Sequence, residues 1–167
     1  MLRKVFIALS LLGLTLFAGC QSDDSDGESE HDSISGIDND LLLELVNGHR
    51  ATGCKCGSSE FGPTNPIVWN DAIEWAAYDH SLDMYENKFL GHKGSDGSNA
   101  GTRLKRRDYS YKRWGENVAK GYKTENSVIN AWKNSAGHCR NMMSPNFTEM
   151  GIAKVGIYWT QVLAAPK

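Results

Sequence analysis

Residues 131–143 read AWKNSAGHCRNMM and gather an aromatic residue, a histidine, a cysteine and an arginine within thirteen positions. Val128, Ile129 and Trp132 fall on one face at helical spacing. Ser135-Ala136-Gly137 then reads as the end of that helix, because glycine favours the left-handed position just past a helix C-terminus. His138 and Cys139 are thereby expected where a helix gives way to a loop, with Thr124 capping the helix that leads to them.

Outward from this stretch, Met150–Ala165 is rich in β-branched and aromatic residues and is broken by Gly151 and Gly156, a pattern that predicts an antiparallel hairpin. Upstream, Trp114-Gly115-Glu116-Asn117-Val118-Ala119 leads into a short extended segment ending at Lys120-Gly121. Glu116 lies between a glycine and an amide, a setting that suits a metal ligand, a base or a turn. His92 stands in GHKGSDG, a run of turn formers with no apolar period, and no core demands it there. The basic residues Arg103, Lys105, Arg106, Arg107, Lys112 and Arg113 follow, interleaved with Tyr109 and Tyr111. Such a run is most simply a solvated face, although it can also hold an anionic polymer or headgroup.

Asn70-Asp71 is expected to cap the longest helix, Ala72 to about Phe89. Ile73, Ala76, Ala77, His80 and Met84 share one face of it, which reads His80 as a core histidine. A first helix spans Asp38–Asn47, capped by Asp38 and apolar at Ile37, Leu41, Leu42, Leu45 and Val46. Asn47-Gly48 ends or bends it, and His49 beside Arg50 is expected at a solvated or locally hydrogen-bonded helix end. Helices grouped with a small antiparallel sheet indicate an α+β fold, and the length past residue 40 suffices for one domain with its own core.

The N-terminus reads differently. Arg3 and Lys4 precede an apolar run from Val5 to Phe17, then Ala18-Gly19-Cys20. A positive start, a short hydrophobic segment and small residues before a cut site mark a secretory signal, and the run is too short for a mature membrane span. Phe17-Ala18-Gly19-Cys20 resembles a bacterial lipobox, so residues 1–19 are expected to be removed and Cys20 lipidated. Gln21 after the cysteine is the pattern sorted to the outer membrane. Residues 20–40 carry eight acidic residues and no Lys or Arg, and form the expected extended tether. Residues 41–167 carry 16 basic against 12 acidic residues, too mild an excess to argue for nucleic acid.

Four cysteines are present. In a reducing compartment, Cys54-Lys55-Cys56 with a distant Cys139 beside His138 would suggest a metal site. After a secretory signal the same residues favour a disulfide. With Cys20 carrying lipid, Cys139 is expected to pair with Cys56 or Cys54, leaving one thiol over.

Together these blocks resemble the CAP superfamily, or SCP domain, in its secreted bacterial branch. They are Ala76-Ala77 with His80; His92 followed by Asp96-Gly97; Gly115-Glu116-Asn117; Trp132 with Ser135-Ala136-Gly137-His138; and Tyr158-Trp159-Thr160-Gln161-Val162. The resemblance runs from Leu41 to Leu163. It implies a three-layer α-β-α sandwich with a small central antiparallel sheet and a groove over that sheet. It also implies a divalent-metal site of two histidines and two acids, of which His92 and Glu116 match one pair. Ser135 stands where the second glutamate usually lies, and Tyr158 where the second histidine does. His138, three residues past Ser135, is the substitute ligand for an ion such as zinc, with Glu149 a more distant one.

No HExxH and no GxSxG occurs. The expected function is therefore that of a monomeric lipoprotein, anchored to the membrane through Cys20. Its groove would bind a lipid, glycan or protein of the cell envelope. The alternative is a metal-assisted hydrolase with Glu116 and His138 as candidate catalytic residues.

Overall fold

The computed structural model describes residues 34–167; the signal segment, Cys20 and most of the acidic tether lie outside the described residues. Five helices and two sheets follow in the order α1 (Asn39–Thr52), β1 (Cys54–Cys56), β2 (Ser59–Phe61), β3 (Val68–Trp69), α2 (Asp71–Asn87), α3 (Ala100–Arg106), β4 (Tyr111–Lys120), α4 (Glu125–Asn134), α5 (Ala136–Met143), β5 (Glu149–Val155) and β6 (Tyr158–Pro166). The main sheet has the order β3-β5-β6-β4. Its three long strands are antiparallel, and two-residue β3 runs parallel to β5 at the edge.

Strand alternation divides the side chains between two helical layers. Met150, Ile152, Trp159 and Leu163 face one way, onto Leu42 and Val46 of α1, Ile129 and Trp132 of α4 and Met142 of α5. Ala153, Val162 and Ala164 face the other way, onto Ile73, Ala76 and Ala77 of α2 and Ala100 and Leu104 of α3. The fold is thus an α+β, α-β-α sandwich. Gly151 lets α2 approach this closely, since a Cβ there would overlap the backbone of Ile73 and Glu74.

Local sequence sets several helix starts. The Asp38 carboxylate accepts from Leu41 N at 2.9 Å, and Thr124 and Ser127 form a capping box at α4. Three boundaries depart from the sequence reading. α1 continues through Gly48 to Thr52, because Arg50 on its last turn is drawn inward. That guanidinium donates to the carbonyls of Asn65 (2.8 Å), Met142 (2.6 Å), Ser144 (3.1 Å) and Phe147 (3.2 Å), closing loop ends that no strand satisfies. Ser135, extended at φ −98° and ψ 119°, ends α4 and opens α5. His138 and Cys139 are therefore inside a second helix, not in a loop, because burial of Cys139, Met142 and Met143 repays a new helical turn. The packed chain also begins before residue 41: Ile37 and Asn39 are buried, and Ile34 N donates to Glu74.

Candidate functional site

β4 is the edge strand of the main sheet, and the chemistry gathers along its open side. Alternation sends Glu116 towards the α2–α3 layer and Asn117 towards α5. Two carbonyls of the strand are covered by side chains from the opposite layer. Asn141 Nδ2 donates to Glu116 O at 3.0 Å, and Trp132 Nε1 donates to Val118 O at 3.4 Å. These bonds satisfy an edge that would otherwise offer itself to another chain.

Glu116 is buried, and both its oxygens are taken. Oε1 lies 2.9 Å from His92 Nδ1, and Oε2 accepts from Arg103 NH2 at 2.5 Å. Arg103 is itself buried and also donates to Ser98 O and Oγ. The bond to Glu116 raises the pKa of His92 above the usual imidazole value, outweighing partial burial. The His92 ring is largely open to solvent, with 61% of its side chain exposed.

His80 supports this arrangement from beneath, as the core histidine its position on α2 implied. It is fully buried, and its Nε2 donates to Gly91 O at 2.7 Å, fixing the loop that carries His92. Burial lowers its pKa despite Glu116 Oε1 at 3.9 Å.

His138 reaches the same edge from α5. Its backbone carbonyl accepts from Asn117 Nδ2 at 3.2 Å, and Asn117 also donates to Gln161 Oε1 at 2.8 Å. Burial first, then the charge of His92, depress the His138 pKa. The imidazole lines a cavity of about 270 Å³ together with Leu90, Val118, Lys120, Tyr122, Trp132 and Ser135. A second cleft of about 330 Å³ at the other end of β4, between Lys112, Arg113 and Phe147, has no acid or histidine in its wall.

Glu149 stands apart. It begins β5, two strands from β4, and holds Asn70 Nδ2 at 2.8 Å and Tyr109 OH at 2.9 Å. Nor do His92, Glu116 and His138 fit a metal as they stand. Their ligand atoms do not converge in one group, and a cation at Glu116 would have to displace the Arg103 guanidinium. Among the described residues, His49, Cys54 and Cys139 are the single trio of such ligands lying within 4.8 Å of one another.

Sequence reasoning missed Arg103 by placing it in a basic run. The signal was its spacing: Arg103 follows Ala100 by three and precedes Leu104, so it shares the buried face of α3. The run itself is largely consumed within the chain. Arg106 pairs with Asp96 at 2.6 Å, and Arg107 Nε with Asp79 at 2.9 Å.

A family model for the cysteine-rich secretory protein family (CAP) matches residues 43–162. The chain belongs to this family. Among relatives, it is 37% identical over 123 residues to the uncharacterized protein YkwD of Bacillus subtilis, covering 72% of this chain and 44% of that one. The chain therefore spans less than half the length of that relative. Among solved structures, an extracellular SCP-domain protein of Bacillus anthracis superposes with a TM-score of 0.68 at 24% identity, over 76% of this chain and 40% of that one. An outer surface protein of Borrelia burgdorferi gives 0.64 at 20% identity, over 76% and 90%. These likenesses establish the fold. This CAP-family chain has, among the described residues, no helix long and apolar enough to cross a membrane.

Proposed function

We propose that this CAP-family chain is an envelope-anchored binding protein, tethered through Cys20, that takes a lipid of the cell envelope into the cleft at the open edge of β4. Glycan and protein ligands are the other members of the envelope class it would meet, and the lining favours lipid. Leu90, Val118, Ala119 and Ala131 supply apolar wall, while Lys120, Ser135 and His138 supply a charge and polar contacts for a headgroup. A volume of about 270 Å³ suits a headgroup with the first carbons of its chains.

The observation that carries the reading is the commitment of Glu116. Hydrolysis assisted by a metal needs this carboxylate free to hold an ion or to move a proton. With Oε1 on His92 and Oε2 on Arg103, it acts instead as a buried anchor that ties the His92 loop and α3 to β4.

The test is calorimetric titration of the purified chain with dihexanoyl phosphatidylglycerol below its micelle concentration, beside the variant Ala131→Trp. The substitution fills the cleft from the surface of α4. Binding by the parent and its loss in the variant, with circular dichroism unchanged, support the reading. Equal binding by both removes the cleft from it, and release of a cleaved product would restore the hydrolase.

A further inference from the structure

A second cluster lies away from this cleft, where the end of α1, strand β1 and helix α5 meet. Cys56 and Cys139 form a disulfide there. Cys54 is a free thiol beside it, with its Sγ 3.6 Å from Cys56 Sγ and 3.5 Å from Cys139 Sγ. His49 completes the group, its Nε2 lying 3.3 Å from Cys54 Sγ and 3.8 Å from Cys139 Sγ. Cys54 and Cys56 are two apart on a strand, so both sulfurs leave the same face. Of the two settings its helix-end position suggested, solvated or locally hydrogen-bonded, His49 takes the second and is buried against these sulfurs.

We infer that His49, Cys54, Cys56 and Cys139 form a closed zinc site whenever the Cys56–Cys139 disulfide is reduced. The distances support it. A tetrahedral ion bound at about 2.3 Å to sulfur and about 2.0–2.1 Å to nitrogen sets its ligands about 3.8 Å apart (sulfur to sulfur) and about 3.5 Å apart (sulfur to nitrogen). The four non-bonded separations above, 3.3 to 3.8 Å, are already near those values. Cys56 stands outside the trio of His49, Cys54 and Cys139 that lies within 4.8 Å, so its sulfur must swing towards the ion once its bond to Cys139 is broken. Cys56, Cys139 and His49 are buried, with Met143 and Phe61 packed around the sulfurs, which is the dry setting of a structural site. Three thiolates and a neutral imidazole select zinc over magnesium or calcium.

The chemistry balances with a dithiol reductant. One of its thiolates attacks the Cys56–Cys139 bond and forms a mixed disulfide, and its second sulfur then closes on the first. Two electrons thereby pass to the protein, which leaves as two thiols while the reductant becomes a disulfide. Zinc then displaces one proton from each of the three cysteines and takes the Nε2 lone pair of His49. Disulfide and ion are alternative cross-links between the same elements, selected by redox state.

Cobalt(II) tests this in the purified chain, reduced with a water-soluble phosphine that adds no competing thiol. The expected result is one cobalt per reduced chain, with thiolate-to-cobalt charge-transfer absorption bleached by zinc, and no such band before reduction. Cys54→Ser leaves the disulfide intact, so its unreduced fold is retained. After reduction it should bind on the order of 100-fold or more weakly, the upper end of what losing even an outer partner of a ligand costs. If the reduced chain loses its near-ultraviolet dichroism, zinc should restore it. A reduced, folded chain with no charge-transfer band, unaltered binding in Cys54→Ser, or a reduced chain that zinc does not refold would each overturn the site.

Discussion

Arg103 NH2 donates to Glu116 Oε2 at 2.5 Å inside the protein, joining α3 to the edge strand β4. Each group is buried, so each depends on the other to offset its lost hydration. Replacing Arg103 by Met leaves the carboxylate uncompensated and should cost about 3–5 kcal/mol in urea unfolding. Adding Glu116→Gln to that variant should recover much of the loss. A single-variant cost below about 1 kcal/mol would show that the pair does not hold α3 to β4.

The histidines make a prediction of opposite signs. His92 is raised by Glu116, so its contribution is complete below the unfolded value of about 6.5 and fades as pH rises through its higher folded value. His49, His80 and His138 are lowered mainly by burial. Their contribution is complete above about 6.5 and is lost as pH falls towards their folded values. Imidazole NMR titration should place His92 above 6.5 and these three below it, and Glu116→Gln should bring His92 down.

Arg50 gives a prediction about the loops. Its guanidinium serves four carbonyls, among them those of Asn65 and Phe147. Arg50→Met removes the donors and leaves buried carbonyls unpaired, at about 1–3 kcal/mol for each that water cannot reach. Arg50→Lys should also be destabilising, because one ammonium cannot span the fork. Denaturant midpoints check both.

Two glycines should respond in opposite directions to alanine. Gly151→Ala drives a methyl into the α2 backbone and should cost about 1–3 kcal/mol or more. Gly48 lies inside α1 with no heavy atom near its missing Cβ, so Gly48→Ala should stabilise by about 0.5–1 kcal/mol. Thermal unfolding of the two variants reads the contrast.

Much of this architecture was legible where local pattern and burial agree. The face of α2 at Ile73, Ala76, Ala77, His80 and Met84 is buried as its spacing implied, and Asp38, Asn70 and Thr124 cap the helices they precede. The pairing of β5 with β6 follows from their β-branched and aromatic composition. What stayed hidden depends on contacts between distant segments. Ser135-Ala136-Gly137 ends a helix on local grounds, and only the pocket awaiting Cys139, Met142 and Met143 starts another. The spacing of α3 contained the inward turn of Arg103, but the charges around it concealed that face. His49 became part of a sulfur cluster because α5, some ninety residues onward, packs against the end of α1.

Binding at the open edge of β4 is the claim on which the functional account rests, and amide NMR titration with dihexanoyl phosphatidylglycerol tests it most directly. The account predicts saturable shifts clustered at Leu90, Val118, Ala119, Lys120, Tyr122, Ser135 and His138, with Lys112 and Arg113 unmoved. Shifts confined to the Lys112–Arg113 cleft, or none at all, would contradict it.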